Sequence, residues 1–194
     1  MRKMKKMNVK LIVAVMSFVL LFGGTLGGSL AWLLADTGAV TNTFTTSNIE
    51  VKLEETTGNA YKMIPGWTIT KDPKAWVVEG SEDCILFVKV AKSENYDAFM
   101  TYEIAEGWTK LEEVGYYTVY YREVFSDDMG DENAFGILKD NKVVVKGEVT
   151  KEMMTDKDFT EPTLSFTAYA HQLYENSTTK FKVADAWNNL NSSN

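Results

Sequence analysis

The chain has few of the residues on which catalytic sites and disulfide frameworks depend. Its 194 residues include one cysteine, one histidine and three prolines. A single cysteine, Cys84, excludes a disulfide within the chain. A single histidine, His171, excludes the H-E-x-x-H motif of zinc peptidases, and the sequence holds no phosphate-binding glycine loop or dinucleotide fingerprint. We therefore expect no cofactor and no conventional catalytic centre.

The first 31 residues instead have the composition of an export signal. Five basic residues and no acidic one precede an apolar run at residues 11–22, and small residues follow up to Ala31. A basic, an apolar and a small-residue region in this order are typical of a secretory signal peptide. The pattern predicts a signal helix within residues 1–31, with cleavage between Ala31 and Trp32.

A retained membrane anchor is the alternative for this leader. As a helix, residues 11–22 would reach only about 18 Å, which is short of a hydrocarbon core of about 30 Å. However, no charged residue occurs over residues 11–35, so a longer span is physically possible. The small residues before Trp32 favour cleavage.

Cleavage would leave a strongly acidic chain. The leader holds five of the 20 basic residues and none of the 27 acidic ones, so the remainder carries a net charge of about −12. A surface of that sign repels nucleic acid and anionic lipid. We therefore expect no nucleic-acid binding and no membrane association after cleavage. The remaining length is enough for one domain whose core needs no disulfide.

Hydrophobic alternation predicts strands through most of this remainder. Apolar and charged residues alternate strictly over residues 49–54, as in a strand with one buried face. The nearly continuous apolar run at residues 84–91 is typical of a central strand. The other apolar rows are Met100, Tyr102 and Ile104; Tyr117, Val119, Tyr121 and Phe125; Val143, Val145 and Val149; and Leu164, Phe166, Ala168 and Ala170.

Turn signals such as Pro65-Gly66 separate these rows, and helical periodicity is confined to residues 150–158 and 180–190. Short strands without intervening helices predict an all-β fold, namely a two-sheet antiparallel β-sandwich of jelly-roll type with short helical segments. The expected organisation is a signal peptide at 1–31, a freed segment at 32–46, the β-sandwich domain at 47–190 and a tail at 191–194.

Several short motifs follow one another along the chain. They are Gly27-Gly28, Ala31-Trp32, Asp36, Asn42-Thr43-Phe44, YKMIPG at 61–66, Lys71-Asp72-Pro73, LFVKV at 86–90 and AYAHQ at 168–172. Taken in this order, they resemble the TasA/camelysin family, whose leaders are cut by a signal peptidase of the SipW type. The likeness is strongest around the leader junction and continues through most of the chain. The Asp after the junction stands one residue later than is usual, and Ser47 replaces a common glycine.

The resemblance implies a jelly-roll domain exported to the cell surface or to the extracellular matrix of a biofilm. Relatives assemble into fibres in which the freed N-terminal segment of one subunit completes the sheet of the next. In this chain the threonines, Val40 and Phe44 favour extended structure. We expect Trp32, Val40 and Phe44 to lie on a donor strand that pairs with an open sheet edge. A disordered or self-docked N-terminus is the alternative.

Two places offer metal-ligand atoms, which matter because camelysin-type relatives have been described as metallo-endopeptidases. His171 lies on the strand face opposite the apolar row, so an exposed strand histidine is favoured over a metal ligand. An acidic stretch around Gly130 offers oxygen ligands for calcium, but its spacing differs from an EF-hand loop and a solvated hairpin loop is favoured. Its acidic residues are Asp127, Asp128, Asp131 and Glu132.

Cys84 and the aromatic residues are expected to be mainly structural. Cys84 shares a strand face with Leu86, so a small core residue is favoured over a nucleophile or an intermolecular disulfide. Rings left outside, for which Tyr116 and Tyr120 are the candidates, could stack on sugars or cover a subunit joint. The aromatic residues considered are Trp67, Trp76, Trp108, Tyr116, Tyr117, Tyr120 and Tyr121.

Together these observations favour a secreted or cell-surface structural protein of the biofilm matrix that self-assembles into fibres. The expected partners are further copies of the chain, the SipW-type signal peptidase and other matrix proteins. Two other classes stay open, a camelysin-like surface metallo-endopeptidase and a monomeric adhesin or glycan-binding module.

Overall fold

The computed structural model describes residues 48–58 and 61–192. The predicted signal peptide, its cleavage site at Ala31 and Trp32, and the donor residues Val40 and Phe44 lie outside these residues. Within the described part, no helix has both the length and the apolar character needed to cross a membrane.

Four antiparallel strands form the larger sheet. Their order across the sheet is β10, β4, β7, β6, where β4 is Cys84–Lys92, β6 is Thr109–Val114, β7 is Tyr117–Val124 and β10 is Leu164–Gln172. The first five residues of the central strand β4 are all buried, because both faces of the sheet are covered at this point. The continuous apolar run predicted this central position.

Two three-stranded antiparallel sheets face the larger one. The first has the order β1 (Val51–Glu54), β3 (Lys74–Val77), β8 (Phe135–Gly136), and the second has the order β2 (Thr68–Thr70), β9 (Leu138–Val145), β5 (Met100–Ile104). The connection between β2 and β3 is bonded to both β9 and the residue that precedes it. The Lys71 N–H donates to the carbonyl of Asn141 in β9 (2.8 Å), and the N–H of Ile137, between β8 and β9, donates to the Pro73 carbonyl (2.9 Å). The two small sheets therefore continue each other.

The apolar faces of all three sheets meet in one main core. Leu86 and Val88 of β4, Val77 of β3 and Val145 of β9 are fully buried in it. Burial of apolar surface contributes about 25 cal/mol per Å², so this core is the main source of stability. The predicted all-β, antiparallel architecture is thereby confirmed.

Three short helices complete the described fold: α1 (Tyr96–Phe99), α2 (Lys151–Thr155) and α3 (Val183–Ser192). α3 lies where the sequence predicted an amphipathic helix, and it covers the outer face of the larger sheet. The ring of Trp187 lies 5.3 Å from Phe87 and 5.4 Å from Tyr169, and its indole N–H donates to Glu112 at 2.7 Å. The helix continues through Asn191 and Ser192, which the sequence pattern had assigned to the tail.

Two apolar rows differ from the prediction at their last residue. Tyr117, Val119 and Tyr121 belong to the cluster beneath α3 and not to the main core. Phe125 follows the end of β7 and is 37 % exposed. β9 ends at Val145, so Val149 is buried after a turn and does not belong to the strand.

We predict that Trp187→Ala destabilises the domain by about 3–5 kcal/mol, because it leaves a cavity against Phe87 and Tyr169 and removes the bond to Glu112. Urea unfolding followed by circular dichroism measures the change. The neighbouring Asn188 is exposed, so Asn188→Ala is the matched control and should change the free energy of unfolding little. Equal effects of the two substitutions would contradict the packing of α3 described above.

Candidate functional site

A cavity of about 840 Å³ enters the main core between the sheets. Ile69 of β2 and Leu164 of β10 bring the opposed sheets to it, and buried Met100 and Val143 line its deeper part. Other apolar residues along its wall are Met63, Met154, Phe159 and Pro162. A largely apolar cavity of this size, with few polar groups, is typical of a binding site.

One wall of the cavity carries a buried cation. Lys71 is 8 % exposed, and its Nζ lies 2.6 and 2.8 Å from the two carboxylate oxygens of Glu55. The same Nζ is 5.5 Å from the ring centroids of Tyr61 and Phe166. The Tyr61 hydroxyl also donates to Glu55 at 3.0 Å. A desolvated ammonium group is costly unless it is paired, and here a carboxylate and two aromatic rings compensate it.

The next residue, Asp72, attaches the segment after β1 to the connection between β2 and β3. Its carboxylate accepts hydrogen bonds from the backbone N–H groups of Thr56 and Thr57, both at 3.0 Å, and from the Thr56 hydroxyl at 2.5 Å. Burial alone raises the pKa of this carboxyl, but the hydrogen bonds outweigh burial and hold the pKa at about 2. The Asp72 carboxylate therefore remains ionised at neutral pH and fixes the backbone of Thr56 and Thr57. Because Glu55 directly precedes these residues, its carboxylate is held within reach of Lys71.

Tyr96 supplies a further polar group to the wall. Its side chain is 1 % exposed, lines the cavity and packs edge-on against Tyr102 at 5.9 Å between ring centroids. Burial raises the pKa of its phenol, so the hydroxyl is protonated at neutral pH. That hydroxyl is buried and has no hydrogen-bond partner among the described residues. An unsatisfied buried hydroxyl costs about 1–3 kcal/mol, so this wall has hydrogen-bonding capacity that the described fold leaves unused.

A smaller cavity of about 420 Å³ adjoins the first, because Tyr61, Lys62 and Ile69 line both. Trp67 stands on its rim with 60 % of its surface exposed. A turn closed by a hydrogen bond from the Trp67 N–H to the Ile64 carbonyl (3.0 Å) places the indole there. Gly66 makes the turn possible, since its φ of 75° is unfavourable for other residues. Below, the two cavities together are called the groove.

The strand that borders the groove differs from the strand at the opposite edge of the same sheet. β10 is the last strand of its sheet, and its nine residues include no Lys, Arg, Asp, Glu or Pro. The opposite edge strand, β6, carries Lys110, Glu112 and Glu113 and has a register shift against β7. Charges and bulges protect edge strands against pairing. β10 lacks such protection, although β1 contacts part of it.

Cys84 has the position that the sequence predicted. It is fully buried in the main core, and burial raises the pKa of its thiol to about 12. A thiol with this pKa is not ionised at neutral pH and is therefore not a nucleophile. The interpretation of Cys84 as a small core residue is confirmed.

The histidine and the acidic stretch do not come together. His171 is half-buried where exposure was expected, because its ring packs edge-on against Phe181 at 4.6 Å and its Nε2 lies 3.4 Å from Asn189 of α3. Asp127 and Asp128 lie in one short 3₁₀ turn, and Asp131 and Glu132 in the next. In the part of the chain that the structure describes, no three His, Cys, Asp or Glu side chains are grouped as they would be to hold a metal ion.

The aromatic residues divide between core and surface. Trp67 and Tyr116 are exposed, by 60 % and 50 % respectively. Tyr120 was expected outside, and this expectation is wrong. It lies out of phase with Val119 and Tyr121 on β7 and therefore packs against the main core.

Sequence reasoning named Lys71 and Asp72 only within a motif of the family resemblance and did not assign them to a site. Lys71 and Asp72 precede a proline between two strands, which is an ordinary turn pattern, and their burial arises only when the segment after β1 folds over them. Tyr96 lies in a one-turn helix with no distinctive periodicity. The one sequence feature that indicates a buried polar site here is a Lys-Asp pair with strand-like residues on both sides.

We predict that Asp72→Asn lowers the free energy of unfolding at neutral pH by about 1–3 kcal/mol, because it weakens the bonds to Thr56 and Thr57. The folded-state pKa of about 2 lies below the ordinary value of 3.8, so the contribution of the carboxylate is present above about pH 4 and is lost as the pH falls towards 2. Chemical denaturation from pH 6 to pH 2 should therefore show a smaller loss of stability in the variant than in the wild type. Exposed Asp127 provides the control Asp127→Asn, and a pH dependence of Asp72→Asn identical to that of the wild type would contradict the assignment.

Comparison of the chain with models of known protein families, with curated proteins and with solved structures finds no match. The resemblance to the TasA/camelysin family therefore stays a prediction from the sequence.

Proposed function

We propose that the protein is a secreted structural component of the extracellular biofilm matrix, held at or near the cell surface. A SipW-type signal peptidase removes residues 1–31, and the domain, a jelly-roll-like sandwich, then assembles into fibres. In each contact, residues 32–46 of one copy enter the groove of another. The observation that carries this proposal is a core-lined cavity beside an unprotected edge strand.

The backbone of β10 can accept a further strand. At the two ends of β10, the Thr163 carbonyl accepts a hydrogen bond from the Ser93 N–H, and the Leu173 N–H donates to the Asp83 carbonyl. Because hydrogen-bonded residues alternate along an antiparallel pair, the odd-numbered residues of β10 direct their backbone N–H and C=O groups towards β4. Even-numbered residues such as Leu164 and Phe166 direct their N–H and C=O groups to the outer edge. An added strand would bond to these groups and place alternate side chains in the cavity.

The freed segment matches this site in length and character. Residues 32–46 contain one charged residue, Asp36, and their alternation places Val40 and Phe44 on one face of an extended chain. The sixteen residues before Asn48 reach about 50 Å at roughly 3.3 Å per residue, whereas β10 spans about 30 Å. The segment is thus long enough to span a gap between copies and then lie along the strand.

Two charged residues are used in shaping the groove. Lys71 of its wall is paired with Glu55, and the carboxylate of the adjacent Asp72 is held by Thr56 and Thr57. The Tyr96 hydroxyl, which has no partner among the described residues, is protonated at neutral pH. None of these three groups is placed to act as a general base, so the geometry favours binding over catalysis.

We predict that deletion of residues 32–41 from the mature protein abolishes fibre formation, because the segment that would fill the groove is gone. Negative-stain microscopy of purified protein, with intact residues 32–194 alongside, measures the outcome. A peptide of residues 32–46 should slow assembly of the intact protein, and a scrambled peptide of the same composition should not.

Fibres of unchanged appearance from the deleted protein would refute strand donation. Casein cleavage by the same preparation, lost on addition of a chelator and on His171→Ala, would identify the metallo-endopeptidase alternative instead.

A further inference from the structure

The open edge of the larger sheet, which runs along β10, has the groove at one end and the start of the described chain at the other. At the groove end, Ile69 of β2 and Leu164, the first residue of β10, line the cavity. At the far end, the Val78 N–H donates to the Glu50 carbonyl (2.8 Å) and the Glu50 N–H donates to Ser81 (3.1 Å). About eight residues of extended chain, or roughly 26 Å, separate the two ends along β2 and β3. Asn48, where the described chain begins, belongs to the far end.

This arrangement fixes the direction in which a tail can lie along β10. A tail that folds back from its own Asn48 towards the groove would run parallel to β10. A tail of a second copy that enters at the groove would run antiparallel to it. Every strand pair among the described residues is antiparallel, and parallel pairing is slightly less stable per residue. The topology therefore favours a tail from a second copy over self-docking.

We infer that Trp67 anchors the joint between two copies by receiving Phe44 of the incoming tail. The inference rests on the proposed strand donation and names the contact that secures it. Phe44 is only four residues before Asn48, so in an antiparallel tail it lies at the mouth of the groove, where the second copy begins. Trp67 stands on the rim at this mouth, 60 % exposed, beside the apolar residues Ile64 and Ile69.

A Trp67–Phe44 contact is consistent with how protein interfaces gain affinity. A few large aromatic residues that fill apolar pockets supply most of the binding energy. The exposed indole is an unfavourable surface in the free domain, and contact with a second ring would remove it from water. The contact joins unlike surfaces of the two copies, so its repetition produces an open chain of subunits when the rotation between copies does not close a ring.

Disulfide trapping tests the contact directly. Phe44→Cys and Trp67→Cys are made in separate preparations of the mature protein, mixed, and exposed to a mild oxidant. We expect a disulfide-linked dimer that contains one copy of each variant. Tyr116→Cys is the matched control, because Tyr116 is similarly exposed but lies beside the protected edge strand β6; it should not cross-link with Phe44→Cys. Cys84 is fully buried and does not interfere.

A second measurement does not need cysteine. Trp67→Ala should raise the concentration required for fibre formation about tenfold or more, whereas Trp67→Phe should raise it much less. Wild-type fibres without the mixed disulfide, or an internal disulfide in a dilute Phe44→Cys/Trp67→Cys double variant, would overturn the Trp67 contact. Failure of the wild type to form fibres under any condition would instead overturn the proposed function itself.

Discussion

The attachment of the segment after β1 to Lys71 and Asp72 is the constraint on which the groove depends. Asp72 holds the backbone of Thr56 and Thr57, and this places the Glu55 carboxylate beside the Lys71 ammonium. Without the pair, a cation would remain in an apolar wall with no compensating charge, which is costly. Lys71 and Asp72 are adjacent in the connection between β2 and β3, and they bind Glu55 and the Thr56-Thr57 backbone of the segment after β1. The polar wall of the groove depends on these contacts between the two segments.

The groove also depends on an asymmetry between the two edges of the larger sheet. β6 carries charges and a register shift, while β10 carries neither. The outer face of the same sheet is closed by α3, whose Trp187 fills the space between Phe87 and Tyr169. With one face covered by a helix, one by the small sheets and one edge protected, the groove beside β10 is where the described sheet is open to extension.

Much of the fold could be predicted from local patterns, because burial follows alternation along each strand. The inward row of β10 follows from this rule, the central position of β4 follows from its nearly continuous apolar run, and the position of α3 follows from apolar residues at helical spacing. Tyr120 was placed wrongly, and Val149 is buried as its row predicted but lies beyond the end of β9. The burial of Tyr120 depends on which face of β7 it lies on, and the strand membership of Val149 depends on where β9 ends. The pattern of apolar residues in the sequence determines neither. The groove could not be predicted, since it requires knowledge of which strands end a sheet and how the sheets separate.

If subunits assemble by the proposed strand donation, the placement of Asn48 and the groove at opposite ends of one open edge would give the assembled chain two unlike extremities. One terminal copy would keep a vacant groove, and the other would keep an unbound tail. Growth at these extremities involves different partners and need not proceed at the same rate. A copy without its tail could still be captured by the last exposed tail but would offer nothing onward, so small amounts of it would act as a cap that sets fibre length.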